Sequence, residues 1–158
     1  MKPALKIISG GQTGVDRAAL EWALASGVPH GGWYPKGRKA EDGVVPPQFQ
    51  LKETGSENHS VRTRRNVRDS GGTVIFSQSS ELSGGTRETA EIAKEIGKPL
   101  LHLMSSLEVN EAATRLNAFI KAHNVVVLNV AGPRGSEEPE TGRFVKAVLS
   151  HALKPLIR

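Results

Sequence analysis

The stretch SGGQTGVDRAAL, residues 9–20, indicates the fold most directly, because it joins an apolar run to a helical pattern. The run at 5–9 before it is typical of a buried strand, and residues 14–26 carry apolar side chains at helical spacing. Glycines between the two elements allow positive φ angles and a close approach of the backbone to a bound group. The stretch therefore predicts a strand, a glycine-rich binding loop and a helix.

The same alternation of strand and helix recurs along the chain. Apolar runs rich in β-branched residues lie at 5–9, 73–77, 99–104 and 125–131, with a weaker one at 28–34. Helical patterns lie at 14–26, 86–96, 108–122 and 140–154. Short, nearly continuous apolar strands alternating with helices predict a parallel α/β sandwich with right-handed crossovers.

One long stretch, Tyr34–Ser60, has little periodicity and contains several prolines and glycines. A stretch of this length inside a compact domain is usually a functional or a disordered loop. We find no linker, internal repeat or low-complexity tract. The sequence thus predicts a single domain over residues 1–158, with a long loop at about 34–60.

Composition limits the classes of function. The 158 residues include 21 Lys and Arg against 16 Asp and Glu, a net charge of +5 that favours anionic partners. The absence of cysteine excludes thiol catalysis, zinc–thiolate sites and iron–sulfur clusters. The amino-terminal apolar run is too short for a signal peptide, and no run reaches membrane-spanning length. We expect a cytoplasmic protein with no membrane contact.

Glycines and small polar residues follow several of the predicted strands. In open parallel sheets, ligands bind beyond the carboxyl ends of the strands, where the amides at helix N-termini favour anions. The alternative is purely structural, with Thr13, Ser83 and Thr86 capping helices. The residues that we predict to bind a phosphorylated ligand at these ends are Gly10, Gly11, Gln12, Thr13, Gly14, Gly84, Gly85, Thr86, Asn129, Gly132 and Arg134.

The basic segment HSVRTRRNVRDSGG adds three further candidates for the ligand site. Arg62 and Asn66 are four residues apart and share a helix face, with Thr63 beside Arg62. The planar guanidinium of Arg62 suits bidentate binding of phosphate. Asp16, in the first turn of the first helix, either complements the helix dipole or holds Gln12 or Arg62 in place; both readings stay open.

Several familiar sites are not supported. The loop GGQTG lacks the Lys and Ser/Thr of a P-loop, and it also breaks the G-x-G-x-x-G spacing of dinucleotide-binding proteins. No two of the five histidines have metal-ligand spacing, and His102 lies within an apolar strand, as a hydrogen-bonded core residue would. No G-x-S-x-G motif is present, so a Ser-His-Asp triad cannot be built. We expect no protein-ligated metal.

Five motifs occur in order over nearly the whole chain: SGGQTGVDRAAL, GGWYPKGRKAEDG, RTRRNVRDSGGTVIF, GGTRET and LNVAGPR. Together they closely resemble the putative molybdenum carrier family. That family is similar to the molybdenum cofactor carrier protein of algae and to the wider Rossmann-like group of lysine decarboxylase-like proteins. The resemblance implies a Rossmann-like three-layer sandwich with a mostly parallel central sheet. It also implies a homo-oligomer with a nucleotide-type pocket at the carboxyl ends of the strands.

The same resemblance implies a ligand. Members of such a family would carry molybdenum cofactor (molybdopterin), a phosphorylated pterin that bears the metal through a dithiolene. Its phosphate would contact Gly10–Gly14, Gly84–Thr86 and Arg62, and the protein need not coordinate molybdenum itself. We therefore expect a carrier whose partner is a small phosphorylated, nucleotide-like ligand.

Two alternatives come from the wider group. The cytokinin-activating phosphoribohydrolases cleave the N-glycosidic bond of a nucleoside monophosphate and carry P-G-G-x-G-T-x-x-E, which SGGTRETAE matches only in part. Glu88 or Glu91 would be the catalytic acid in that reading. DNA-processing protein A has a similar core, so a nucleic-acid-binding module is the second alternative. Because only 4% of the residues are aromatic and could stack on bases, we do not expect nucleic acid to be a partner.

Overall fold

The computed structural model describes residues 5–153. The strands are β1 (Lys6–Ile8), β2 (His30–Gly31), β3 (Trp33–Tyr34), β4 (Lys39–Ala40), β5 (Gly43–Val44), β6 (Lys52–Glu53), β7 (Gly72–Ser77), β8 (Leu100–Met104) and β9 (Val127–Ala131). The helices are α1 (Val15–Ser26), α2 (His59–Arg68), α3 (Gly84–Glu95), α4 (Val109–Ala122) and α5 (Thr141–Leu153). Over this range no helix is both long and apolar enough to cross a membrane.

Five strands form the central sheet in the order β2-β1-β9-β7-β8, and every pairing is parallel. All six positions of β7, near the middle of the sheet, are buried. This burial explains why its sequence is apolar without alternation. The predicted α/β fold with a parallel sheet is confirmed, and the predicted helices are found to within two residues; residue 154 of the last one lies outside the described residues.

The prediction of one strand over residues 28–34 is wrong in one respect. The structure has two short strands there, and they belong to two different sheets. β2 pairs with β1, whereas β3 leaves the central sheet and pairs with β6. Gly32 separates them with a φ of 125°, and a Cβ there would lie 2.2 Å from the Ser9 carbonyl oxygen. Only glycine permits this turn beside β1.

Helices cover both faces of the sheet. The larger apolar core joins one face to α1, α4 and α5 through residues such as Val15, Leu116 and Leu149. The smaller cluster joins α2 and α3 on the other face, through Val67 and Ile92. The helices α2 and α3 thus bury only a small apolar cluster between them.

The segment 34–60 has a structure of its own. It contains a parallel pair, β3 with β6, and an antiparallel hairpin of β4 and β5. Tyr34, Val45 and Phe49 pack with Leu20 of α1 into a separate apolar cluster. Strands of two residues leave no periodicity to detect, which explains why the sequence indicated only a loop.

We predict that Phe49→Ala will loosen this segment while the central sheet stays folded. Phe49 is 2% exposed, and loss of a buried phenyl group costs about 3–5 kcal/mol. Hydrogen exchange should speed up at the amides of Val45, Lys52 and Thr54, which lie in this segment and donate to backbone carbonyls, and not in β7. Val44→Ala, at a residue that is 62% exposed, is the matched control. It should change hydrogen exchange neither in the 34–60 segment nor in β7. Equal acceleration across the whole chain would contradict the prediction.

Candidate functional site

A polar cleft opens at the carboxyl edge of the central sheet. Its walls come from the loop after β1, from α2, from the first turns of α3, and from the end of β9 with the residues that follow. Its empty volume, including the part open to solvent, is about 630 Å³. This is the position at which open parallel sheets bind ligands.

The structure brings most of the predicted binding residues together in this cleft. Those that line it are Gly10, Gln12, Arg62, Thr63, Asn66, Gly85, Thr86, Asn129, Gly132 and Arg134. Gly11, Thr13, Gly14 and Gly84 do not line it. Of the two candidate acids, Glu88 faces the cleft, whereas Glu91 lies outside it beside Arg87.

Arg62 forms one side of the cleft, and its guanidinium is already engaged within the protein. The side chain is 10% exposed. Nη1 donates to the Gly10 carbonyl at 2.9 Å, Nη2 lies 2.9 Å from His59 Nδ1, and Nε donates to the His59 carbonyl at 3.5 Å. The sequence predicted that the guanidinium of Arg62 would bind a phosphate. Its Nε, Nη1 and Nη2 groups instead form hydrogen bonds within the protein, which join α2 to the loop after β1.

Gly10 is a glycine because Arg62 occupies the space of a side chain. A Cβ at residue 10 would lie 1.8 Å from Arg62 Nη1 and 2.7 Å from Cζ. Gly10 does not have a positive φ, so its backbone conformation does not require glycine. Glycine is required there because the guanidinium leaves no room for a Cβ. The first glycine of the motif therefore serves the packing of Arg62.

Asp16 contacts both Gln12 and Arg62, the two residues that the sequence suggested it could hold in place. Its Oδ2 accepts from the Gln12 amide at 3.4 Å and lies 3.6 Å from Arg62 Nη1. Burial raises the pKa of Asp16 to about 6, and the positive charge of Arg62 opposes that rise. Asp16 is therefore the counter-ion of Arg62 at neutral pH, at a cost in desolvation.

The amino terminus of α1 is closed by other parts of the chain. The Val15 amide donates to the Pro133 carbonyl at 3.3 Å, and a Cβ on Gly14 would lie 2.5 Å from that same oxygen. Thr13 does not cap the helix as considered; its hydroxyl donates to Glu41 and accepts from the Gly135 amide. An anion at this end would first have to displace these contacts.

The amino terminus of α3 is open by contrast. No side chain caps it, so neither Ser83 nor Thr86 has the capping role considered from the sequence. A Cβ placed on Gly84 or Gly85 would meet no heavy atom within 4 Å. Among residues 5–153 the amides of Gly84, Gly85 and Thr86 have no hydrogen-bond acceptor, and Gly85 and Thr86 line the cleft. The positive end of the helix dipole lies behind these amides.

Three polar side chains in the cleft are nine-tenths buried and keep an unused hydrogen-bonding group. Gln12 accepts two amides through Oε1, and Asn129 donates to Thr73 through Nδ2 at 3.2 Å. Their other amide atoms, and the Thr86 hydroxyl, have no protein partner among residues 5–153. None of these atoms is fully enclosed, and all three residues line the cleft.

Sequence reasoning missed three polar residues that line the cleft, His59, Thr89 and Glu137. His59 lies three positions before Arg62 in α2 and so shares its helix face, which is the signal that could have found it. Thr89 follows Glu88 in α3, where its hydroxyl donates to the Gly85 carbonyl at 3.0 Å. Glu137 follows the conspicuous GPRG turn without a motif of its own.

His102 differs from the expectation of a core residue. It lies in the edge strand β8 and is half-buried, with Nε2 at 2.5 Å from the Ser77 hydroxyl. Burial lowers its pKa. The ring is hydrogen-bonded, as expected, but at the margin of the sheet, and it does not line the cleft.

We predict that Gly10→Ala will expel the Arg62 guanidinium. The new methyl group would take its space, leaving Asp16 buried without its counter-ion at a cost of about 1–3 kcal/mol. Gly85→Ala is the control, because its methyl group would meet no atom within 4 Å. Chemical unfolding measures both variants, and in an Arg62→Ala background the Gly10→Ala effect should vanish. An equal effect in both backgrounds would contradict this account of Gly10.

We further predict that Asp16→Asn will alter the pH dependence of stability. A folded-state pKa of about 6 against 3.8 means that the contribution of Asp16 is fully present below pH 3.8 and is lost as pH rises through 6. The stability of the wild type relative to Asp16→Asn should fall across this window, by roughly 3 kcal/mol. Urea unfolding at several pH values measures the difference. A difference that is constant or rises with pH would refute the prediction.

Comparison with known proteins supports the resemblance seen in the motifs. The model of the circularly permutated YpsA SLOG family matches residues 7–153. A crystal structure at 1.45 Å of a putative molybdenum carrier protein from Syntrophus aciditrophicus SB is 45% identical, with a TM-score of 0.92. The match covers 97% of this chain and 98% of that one, and confirms the Rossmann-like sandwich. No curated protein matches significantly. The chain belongs to the circularly permutated YpsA SLOG family.

Proposed function

We propose that the protein binds a small phosphorylated ligand in this cleft and acts as a carrier, with molybdenum cofactor as its cargo. The observation that carries the proposal is the open amino terminus of α3, whose free amides lie at the same cleft as the guanidinium of Arg134. Free amides at a helix N-terminus bind anions, and the planar guanidinium of arginine binds phosphate through two hydrogen bonds.

Arg134 is better placed than Arg62 to contact the anion. Its side chain is 44% exposed, and its ion pair with Glu137 is long, at 3.5 Å. Arg62 is instead committed to Gly10, His59 and Asp16. We therefore assign the phosphate contact to Arg134 and the amides of Gly85 and Thr86, with Arg62 as the residue that holds the cleft in shape.

The remaining polar atoms suit a ligand that is larger than phosphate alone. The free amide groups of Gln12 and Asn129 can bond to the edge of a heterocycle or to hydroxyl groups. A phosphorylated pterin has both a phosphate and such an edge. The crystallised relative is called a molybdenum carrier, which supports molybdenum cofactor over other nucleotide-like ligands.

Native mass spectrometry of the purified protein, with elemental analysis for molybdenum, tests the cargo. A bound pterin together with stoichiometric molybdenum would support the carrier function. Molybdenum without an organic component would instead indicate the molybdate oxyanion, which the same amides and arginine would bind. Stabilisation by AMP-like nucleotides alone, with no pterin or molybdenum bound, would argue against the carrier function.

We predict that Arg134→Ala will weaken the binding of AMP about ten- to a hundredfold, as expected for loss of a charge-assisted hydrogen bond. Isothermal titration calorimetry measures the affinity. Arg143→Ala removes the same charge from a side chain 89% exposed outside the cleft, and it should leave affinity unchanged. Equal losses in both variants would indicate that net charge alone attracts the ligand.

Hydrolysis of the N-glycosidic bond of a nucleoside monophosphate is the second candidate function. It is favoured by Glu88, which lines the cleft and accepts from the Ser60 hydroxyl at 2.8 Å. Against it, SGGTRETAE departs from the phosphoribohydrolase motif. Release of adenine from AMP, followed by chromatography, distinguishes an enzyme from a carrier.

A further inference from the structure

We infer that Arg62 locks His59 as a neutral imidazole with its proton on Nε2, and that His59 thereby presents a fixed, uncharged hydrogen-bond donor to the ligand. This assigns a positioning role to Arg62 and a specificity-determining role to His59. The inference rests on the proposed function, because the donor acts on the ligand bound in the same cleft.

The tautomer follows from the chemistry of the contact. His59 Nδ1 and Arg62 Nη2 are 2.9 Å apart. A guanidinium has five N–H donors and no acceptor, so it cannot receive a hydrogen bond from imidazole. Nδ1 must therefore offer its lone pair. The only ring proton is then on Nε2, and the ring carries no charge.

Arg62 cannot readily turn away to release the ring. Nη1 donates to the Gly10 carbonyl at 2.9 Å and lies 3.6 Å from the Asp16 carboxylate. Nε donates to the carbonyl of His59 itself at 3.5 Å. The same guanidinium thus holds the backbone and the ring of His59, and Asp16 anchors the guanidinium.

The charges around His59 also oppose a second proton on the ring. Burial lowers the pKa of His59, and Arg62, Arg134 and Lys39 lower it further, against a smaller opposing effect of Glu88. With the proton fixed on Nε2, that nitrogen is a donor and cannot act as an acceptor. It therefore favours ligand acceptor atoms such as phosphate or carbonyl oxygens, and it rejects a ligand that places an N–H there.

Nε2 has no hydrogen-bond acceptor among residues 5–153, and His59 lines the cleft with Thr86, Glu88 and Arg134. The donor is therefore unused in the protein. It lies in the same cleft as the α3 amides to which we assign the phosphate. A ligand oxygen at that position would complete its hydrogen bonding.

Nitrogen-15 NMR of the imidazole rings tests the lock without any ligand. The wild type should show His59 neutral and protonated on Nε2 at pH 7. In Arg62→Met, which keeps an apolar stem and removes the donors, the Nδ1-protonated tautomer that Arg62 excludes should become detectable beside the Nε2-protonated one, which free histidine already favours. Protonation on Nδ1, or a charged ring, in the wild type would overturn the inference. His123 and His151 lie outside the cleft, so their signals should not differ between the two proteins.

Two substitutions at His59 distinguish the role of Nδ1 as an acceptor from the role of Nε2 as a donor. His59→Asn keeps an acceptor for Arg62 at the position of Nδ1 and removes the donor at Nε2. His59→Gln keeps a donor near Nε2 and removes the acceptor for Arg62. With inorganic phosphate and AMP as probes in calorimetry, His59→Asn should weaken binding about three- to tenfold, the effect of one neutral hydrogen bond. His59→Gln should bind more tightly than His59→Asn, although its thermal stability should be the lower of the two.

The outcomes distinguish this inference from the proposed function. If the wild type binds neither phosphate nor AMP nor any pterin, the proposed function fails, and the donor role fails with it. If the wild type binds and His59→Asn binds equally well, the donor role is overturned while the proposed function stands. If His59→Asn binds more tightly than His59→Gln, Nδ1 is the nitrogen that matters and the assignment is wrong.

Discussion

The buried guanidinium of Arg62 is the interaction on which the rest of the cleft depends. It connects α2 to the first strand–helix loop, and these elements are 52 residues apart in sequence. An arginine suits this task because its donors are arranged in a rigid plane and cannot lose their charge. The cost is a buried carboxylate at Asp16, whose raised pKa reflects poor solvation. Because desolvation offsets much of the attraction between buried charges, the main effect of the pair is to fix the position of the Arg62 guanidinium.

The two glycine-rich loops have different uses, although they look alike in sequence. In the first, glycines allow close packing against Arg62, against Val45 and Leu51, and against the Pro133 carbonyl. In the second, Gly84 and Gly85 have no neighbour where a side chain would be. The glycines of the first loop therefore serve packing within the protein. The second loop leaves helix amides that a ligand could contact.

Much of the fold could be predicted from sequence, because a parallel sheet covered on both faces requires continuous apolar runs, and these are legible in 73–77 and 125–131. The split between β2 and β3 was not predictable from these runs, because it depends on how closely Gly32 approaches Ser9. The structure of the 34–60 segment could not be predicted for a related reason. Its order comes from contacts of Phe49 and Val45 with α1, which are distant in sequence.

The candidate site divides in the same way. Residue type and position at strand ends selected many of the residues that line the cleft, and spacing in the basic segment added Arg62, Thr63 and Asn66. Glu88 came from the partial match to the phosphoribohydrolase motif. These signals could not show which donors are already used within the protein, and that decides the roles of Arg62 and Arg134. His59 has no motif, and its importance depends on a single contact with Arg62 Nη2. Such properties depend on the distances between side chains and not on their spacing along the chain.

The tip of the β4–β5 hairpin has a mechanical consequence. Glu41 bonds to Thr13 and to the amide and hydroxyl of Ser136, while its own amide donates to Gln12 at 2.7 Å. One exposed carboxylate thus ties together the two loops that border the cleft, after β1 and after β9. These contacts must break before the two loops can move apart. The hairpin therefore couples the positions of the two loops, so that a displacement of one is transmitted to the other through Glu41.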